Sequence, residues 1–402
     1  MDNVTQNTVV RQLLSLLPLD VQDRLLYADR YAKKLTISKS ILVFVLAQFN
    51  NWQSYVEMEE QIYAHSELRS VLDLPCISAA QLSRKLAQIP TEMLHELFLH
   101  GLVHIQKLTA NLKGISPSIG RLALIDSSKV KLPLVLGDWA RVSSTSSGVK
   151  LHVRLLTASP DVVYPDAVIP STLNVGDRAA TVELVTESTV TYVMDRGYDN
   201  YKNMDNWIRR GIRFVMRMRD RALTTVVEER QVTPDGSITR DAIVSVGGDF
   251  RSMKERIRLV EFYDEQGRFY RLLTSRLDIT AEEVAHIYKC RWLIELFFKW
   301  IKQHLRLKKL HSYKPQAIWN QIYLTLITFM LAQYMQLHLE TKKSVWRVLE
   351  LFRIHMFHPW IQFLNALFRA PTRTSTGKKR GSSREVPPLR TELGMFKKSK
   401  VT

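Results

Sequence analysis

The sequence predicts an α/β protein in which a mixed-sheet core is interrupted by a β-rich block and preceded by an all-α region. Three observations carry this. Residues 7–113 repeat apolar side chains at helical spacing, and after ISPSIG (115–120) the pattern changes to short apolar runs bounded by turn residues. A second strand-rich stretch, 221–279, then precedes a return to helical periodicity.

The helical region contains VVRQLLSLL, SILVFVLAQF and EMLHELFLHGL, punctuated by Pro18, Pro75 and Pro90. Within it, ISAAQLSRKLAQIP has the look of the second helix of a helix-turn-helix. Ser78 stands as the cap, and Gln81, Arg84, Lys85 and Gln88 are expected on the polar side, with Arg84 and Lys85 as candidate DNA contacts. A plain amphipathic helix with a solvated face fits the same residues, and the charge balance of the region favours it.

Beyond residue 120, LALID, GVKLHVRLLTA, VVYPDAVI, VTYVMD and IRFVMRMR read as strands, with DRAATVELVTE and NYKNMDNWIRRG as helices between them. The β-rich block holds a PDG turn and a hairpin-like pair, RIRLVEFY and RFYRLLTS, around DEQG. Thr280 with Glu283 three residues on forms a capping box, and the absence of Pro and Gly until Pro315 predicts one long helix. The expected organisation is a helical domain at 1–115, a core at 116–220 and 280–340, the β-rich insertion at 221–279, a helical segment at 341–372 and a basic, flexible tail at 373–402.

Charge narrows the function. The chain carries 57 Lys and Arg against 39 Asp and Glu, a net +18 that suits a polyanionic partner. The first 115 residues hold eleven of each sign, so the whole excess lies beyond them. Cys76 and Cys290 lie far apart without metal-ligand spacing, which supports neither a disulfide framework nor a zinc finger. The start, MDNVTQNTVVRQLL, lacks the basic and apolar regions of a signal peptide, so a cytoplasmic chain is expected. The uncharged stretch from Pro315 to Leu339 is long enough to span a bilayer, but its Asn and Gln residues favour a helix buried inside the protein.

One segment concentrates chemistry. In YKCRWLIELFFKWIK (288–302) a lone acid, Glu295, stands among cations, and between His286 and Lys314 it faces eight Lys and Arg. At about 100° per residue, Tyr288, Arg291, Glu295, Lys299, Lys302 and Arg306 fall within one narrow stripe of a continuous helix. Leu293, Ile294, Phe297, Trp300 and Ile301 fall opposite, as a buried face. Helical ion pairs of Glu295 with Arg291 and Lys299 would account for the acid but not for the single sign of its company. A cationic stripe suits phosphates. A carboxylate within it would repel them unless a divalent metal ion neutralised it. Such an ion takes several hard oxygens. Asp126, ending LALID, and Asp195, ending VTYVMD, are the candidate partners, although each alone also reads as a turn or cap residue. Two strand-end aspartates and one helical glutamate form a set able to hold two metals.

At these residues the sequence resembles the DDE transposases of insertion-sequence family four. Tyr288-x2-Arg291-x3-Glu295-x6-Lys302 matches their YREK signature, VMDRGYDN their second-Asp motif and LALIDSS their first-Asp strand. The resemblance implies an RNase H-like catalytic core carrying a β-rich insertion. It also implies Asp126, Asp195 and Glu295 as ligands of two Mg²⁺ or Mn²⁺ ions, with Tyr288, Arg291 and Lys302 gripping backbone phosphates. Lys299 and Arg306 are added from the stripe. The implied activity is cut-and-paste transposition of double-stranded DNA through a hairpin intermediate, in a synaptic homodimer acting on the nucleoid. Several relatives steady a flipped base with a tryptophan of the insertion. Residues 221–279 contain none, leaving Phe269 or Tyr270 for that task. The competing readings are a junction nuclease of the same chemistry and a transposase-derived DNA-binding regulator without catalysis.

Overall fold

The computed structural model describes residues 7–17, 29–30, 32–232, 236–248, 251–305 and 310–370. Arg306, Pro18, most of the PDG turn and the basic tail lie outside them. The chain divides into two compact units, Asn111–Phe298 and a helical unit made of Met1–Ala110 with Lys299–Thr402. The expected core range 280–340 is therefore shared between units, and 341–370 groups with the N-terminal helices.

The helical unit contains α1 (Val9–Ser15), α2 (Ile37–Asn50), α3 (Tyr55–Ala64), α4 (Ser66–Leu72), α5 (Ala79–Leu86) and α6 (Thr91–Leu108). Its core is the uncharged segment, which forms a helix over Pro315–His338 buried on nearly every side. The amide of Asn320 donates to the carbonyls of Leu86 and Ile89, both at 2.7 Å, so its polar group is satisfied inside the unit. Among the described residues no helix is long and apolar enough to cross a membrane. On α5, Ser78 and Gln81 form a full capping box, and Arg84 is exposed as expected. Lys85 departs from expectation. It is 8% exposed and its ammonium sits 2.8 Å from Asp29, because the polar side of this short helix turns partly inward onto that acid.

The second unit is built on one eleven-stranded sheet. β1 (Leu122–Lys131), β3 (Ser146–Ser159) and β4 (Val162–Thr172) form an antiparallel series, with the short β2 (Arg141–Ser143) also on β3. On the other side of β1, β5 (Thr191–Met194) and β6 (Arg213–Arg217) run parallel to it, connected through α7 (Asp177–Leu184) and α8 (Tyr201–Arg209). This is the RNase H-like arrangement. The insertion supplies β7 (Thr224–Glu229), β8 (Ile238–Gly248), β9 (Arg251–Ser252), β10 (Ile257–Tyr263) and β11 (Phe269–Thr274). It prolongs the core sheet, since β11 pairs antiparallel with β6. The predicted hairpin forms with Tyr263 opposite Phe269.

The long helix predicted from Thr280 is two helices. α9 (Ala281–Lys289) starts at the expected capping box and stops at Cys290, and α10 (Trp292–His304) follows. At the break Arg291 N donates to Tyr288 O at 3.0 Å and Leu293 N to Cys290 O at 3.0 Å, three-residue bonds that tighten the backbone locally.

Candidate active site

The register of the sheet brings the two aspartates together. Ile125 of β1 pairs with Met194 of β5, and the next residue on each strand is Asp126 or Asp195. Asp126 is inside β1, its carboxylate accepting from Ser127 N at 2.7 Å. Asp195 leaves β5 in an extended conformation and caps a short 3₁₀ turn over Arg196–Tyr198. Asp195 thus follows the end of β5 as expected, whereas Asp126 does not end its strand: β1 continues to Lys131 because Ser127–Lys131 keep pairing with β3.

The α9–α10 break supplies the rest. Tyr288, in the last turn of α9 and 6% exposed, donates its hydroxyl to Asp195 Oδ1 at 3.1 Å. Glu295 lies in the first turn of α10. The Arg291 guanidinium meets Glu295 Oε1 at 2.5 Å and lies 3.6 Å from Asp126 Oδ2. Tyr288, Arg291 and Glu295 thus share one side, as the wheel predicted, although the helix carrying them is broken. The expected buried face is correct throughout: Leu293, Ile294, Phe297, Trp300 and Ile301 are all buried.

The electrostatics are those of crowded acids. Burial pushes the Asp126 carboxyl up to about 6, with the charges of Glu295 and Asp195 adding to the rise and Arg291 opposing it. Tyr288 is raised by burial and by Asp195. Cys290, at the break, is pushed up to about 12 by burial alone, which leaves it a packing residue. Asp126 and Glu295 share one guanidinium while Asp195 meets the Tyr288 phenol, and Arg291 Nε is itself buried without a hydrogen-bond partner. Hard oxygen donors in excess of cationic charge are the donor set that suits a divalent ion. Among the described residues no three acids, histidines or cysteines are arranged to hold a metal ion, and Arg291 lies between two of the acids.

A supporting layer escaped the sequence reading. Ser127, beside Asp126, donates to Asp177 Oδ1 at 2.8 Å, and Lys150 donates to the same oxygen at 3.2 Å. His152, fully buried on β3 opposite Ser127, lies 3.5 Å from that oxygen, and its burial lowers its pKa to about 4, which keeps it neutral. The buried Tyr198 hydroxyl stands near Ser127, and its pKa is raised by burial and by Asp126 and Asp177. Asp177, the first residue of α7, reads in sequence only as a helix start. The alternation of Lys150, His152 and Arg154 with Leu151, Val153 and Leu155 was the available signal of a buried polar face.

Lys299 is exposed and Lys302 half-buried, both on the part of α10 that belongs to the helical unit. Phe269 is 42% exposed beside Tyr263. Tyr270 lies under Arg217, 4.7 Å from its ring centre, and 5.8 Å from the Tyr288 ring.

The family model of the transposase DDE domain matches residues 117–331, more than half the chain and all three acids. The chain belongs to this family. It is accordingly an enzyme that acts on DNA as a transposase, and enzymes of this family generally use divalent metal ions. A relative from Geobacillus stearothermophilus, described as a probable transposase for insertion sequence element IS5377, is 25% identical over 349 residues, covering 85% of this chain and 88% of its own length. Among solved structures, the piggyBac transposase synaptic complex with hairpin DNA is similar with a TM-score of 0.45 at 10% identity, over 98% of this chain and 86% of that one.

Proposed function

We propose that the chain is a transposase of insertion-sequence family four in which Asp126, Asp195 and Glu295 hold two Mg²⁺ or Mn²⁺ ions for cut-and-paste transposition. The observation that supports this reading is that Asp126 and Asp195 each follow a paired residue of neighbouring strands, Arg291 bridges Asp126 to Glu295, and the charges of Asp195 and Glu295 both raise the cost of charge on Asp126. When bound, the ions supply Lewis-acid stabilisation and lower the pKa of an attacking water or 3′-hydroxyl. The chain's own residues do the remaining work. The strands fix Asp126 and Asp195. Tyr288 restrains one oxygen of Asp195, which leaves the other for coordination. Arg291 and Lys302 grip backbone phosphates near the element's end, with Lys299 and Arg306 extending that grip and Arg84 offering a contact elsewhere on the DNA.

Each chemical step exchanges one phosphodiester oxygen for another and needs no covalent enzyme intermediate. A strand is nicked at each end, the freed 3′-hydroxyl attacks the opposite strand to make a hairpin, and the reopened end joins the target. Phe269, exposed on the insertion, or Tyr270 stacks the displaced base. Synapsis of two ends calls for a homodimer in the active complex, acting on the nucleoid. The test is Mg²⁺-dependent cleavage of a duplex carrying the element's end, identified from the DNA flanking the coding region. Glu295→Gln and Asp126→Asn are each expected to abolish cleavage while still binding the duplex. Full cleavage by either would overturn the assignment.

A further inference from the structure

We infer that Arg291 couples metal binding to DNA binding, by occupying the carboxylates until a divalent ion displaces its guanidinium onto a phosphate. The inference rests on the metal-ligand reading above and assigns Arg291 a second position and a reason to leave the first.

The first position is a built one. The guanidinium contacts Glu295 Oε1 at 2.5 Å and Asp126 Oδ2 at 3.6 Å, and lies 5.7 Å from the centre of the Tyr288 ring. Its side chain is 18% exposed, against 33% for Glu295 and 24% for Asp126. There it is the counter-charge for two of three acids whose mutual repulsion is felt at Asp126. The fit is incomplete, because Nε is buried with no acceptor, and an unmet buried donor carries a free-energy cost.

A divalent ion held by Asp126 and Glu295 needs the oxygens that Arg291 now engages. It also brings twice the charge, so guanidinium and metal compete for the same place. Displaced, Arg291 keeps its charge and its planar fork of donors, and the anion that best matches that fork is a phosphate. One guanidinium cannot serve the carboxylates and a phosphate together. Metal and DNA therefore favour the same position of Arg291, and by linkage each raises the affinity of the other by the same factor.

The experiment measures Mn²⁺ affinity by electron paramagnetic resonance, with and without a saturating short mixed-sequence duplex, for the full-length chain and for Arg291→Ala, Arg291→Gln and Asp126→Asn. In the wild type the duplex is expected to tighten Mn²⁺ binding by about tenfold or more, within the usual span of coupling factors. In Arg291→Ala and Arg291→Gln, Mn²⁺ binding without DNA strengthens and the enhancement by DNA shrinks at least several-fold. Anisotropy titrations supply the second readout. Mn²⁺ should steepen the salt dependence of duplex binding by about 0.9, one phosphate contact, more in the wild type than in either Arg291 variant. A fixed Arg291 that only repels the metal through space would change both Mn²⁺ affinities equally and leave their ratio intact, and that result overturns the inference. Mn²⁺ binding that survives unchanged in Asp126→Asn overturns the metal-ligand reading instead. Circular dichroism melts of both Arg291 variants separate these outcomes from misfolding, and the Gln variant, which keeps a longer polar side chain without the charge, carries the test if the Ala variant unfolds.

Discussion

Two clusters of charge lie in the same sheet unit and are assembled on opposite principles. On the insertion side, Arg258 makes a two-point pair with Asp241 at 2.8 and 2.7 Å, and its remaining donors reach the carbonyls of Arg276 and Ile279. Arg276, also 1% exposed, bonds Asp278, Thr191 Oγ1 and the carbonyls of Ser118 and Ile119, which ties the starts of β1 and β5 to the approach to α9. Each cation there has its acid and its carbonyls. At the other cluster, Asp126, Asp195 and Glu295 share Arg291 and one phenol, and Arg291 Nε is unmet. Matched charge of the first kind specifies a structure. Surplus acid of the second kind costs stability, and the proposed ion site rests on it.

The largest effect should come from unbalancing the matched cluster. Asp241→Ala leaves Arg258 buried without its acid and should cost about 3–5 kcal/mol of stability, seen as a drop in denaturant midpoint, with Mn²⁺ affinity unchanged in the protein that remains folded. The same kind of change at the surplus cluster should have the opposite sign. An acid whose folded pKa is raised binds its proton more tightly folded than unfolded, so its penalty is full above about pH 6 and gone below its ordinary value of 3.8. Asp126→Asn should therefore stabilise the chain by on the order of 2–3 kcal/mol at pH 7.5, with the gain fading towards pH 4 in the same denaturant titrations. A loss of stability at pH 7.5 would show that the acids are balanced after all.

Smaller changes sharpen the contrast. Tyr288→Phe removes the hydroxyl that restrains Asp195 and should cost about 1.5–3 kcal/mol, the usual worth of a hydrogen bond to a charged group, while weakening Mn²⁺ binding. Equal Mn²⁺ affinity in that variant would make the bond purely structural. Lys302→Ala should leave Mn²⁺ binding untouched and reduce the salt slope of duplex binding by about 0.9, because it removes a phosphate contact and no acid. An unchanged slope would place Lys302 in the packing of α10.

The comparison also marks what the sequence could show. The strand segments, the acids closing apolar runs at Asp126 and Asp195, and the insertion's hairpin were legible because each rests on a local pattern: alternation, an acid after an apolar run, a turn between aromatic runs. That β1 runs on past Asp126 was not, because it depends on pairing with β3. The break between α9 and α10 was not, because nothing at Cys290 or Arg291 signals it. Their backbone is redirected by three-residue bonds rather than by a proline or glycine. The first half of the stripe nevertheless survived the break, because Tyr288, Arg291 and Glu295 span only two helical turns and are pinned by their partners. Lys85 went astray for a related reason: its partner Asp29 is 56 residues away, and helical spacing carries no information about it. Asp177 was likewise invisible, since its role depends on Ser127 of β1 and Lys150 of β3. That the insertion prolongs the core sheet through β11 and β6 is a long-range pairing that composition does not reveal.

The central claim is that the three surplus acids form a divalent-ion site. Isothermal titration of Mn²⁺ into the wild type and into Asp126→Asn, Asp195→Asn and Glu295→Gln tests it without any DNA. The account predicts binding to the wild type and loss of that binding, by more than tenfold in affinity, in each of the three variants. Wild-type affinity retained in any one of the three would contradict it.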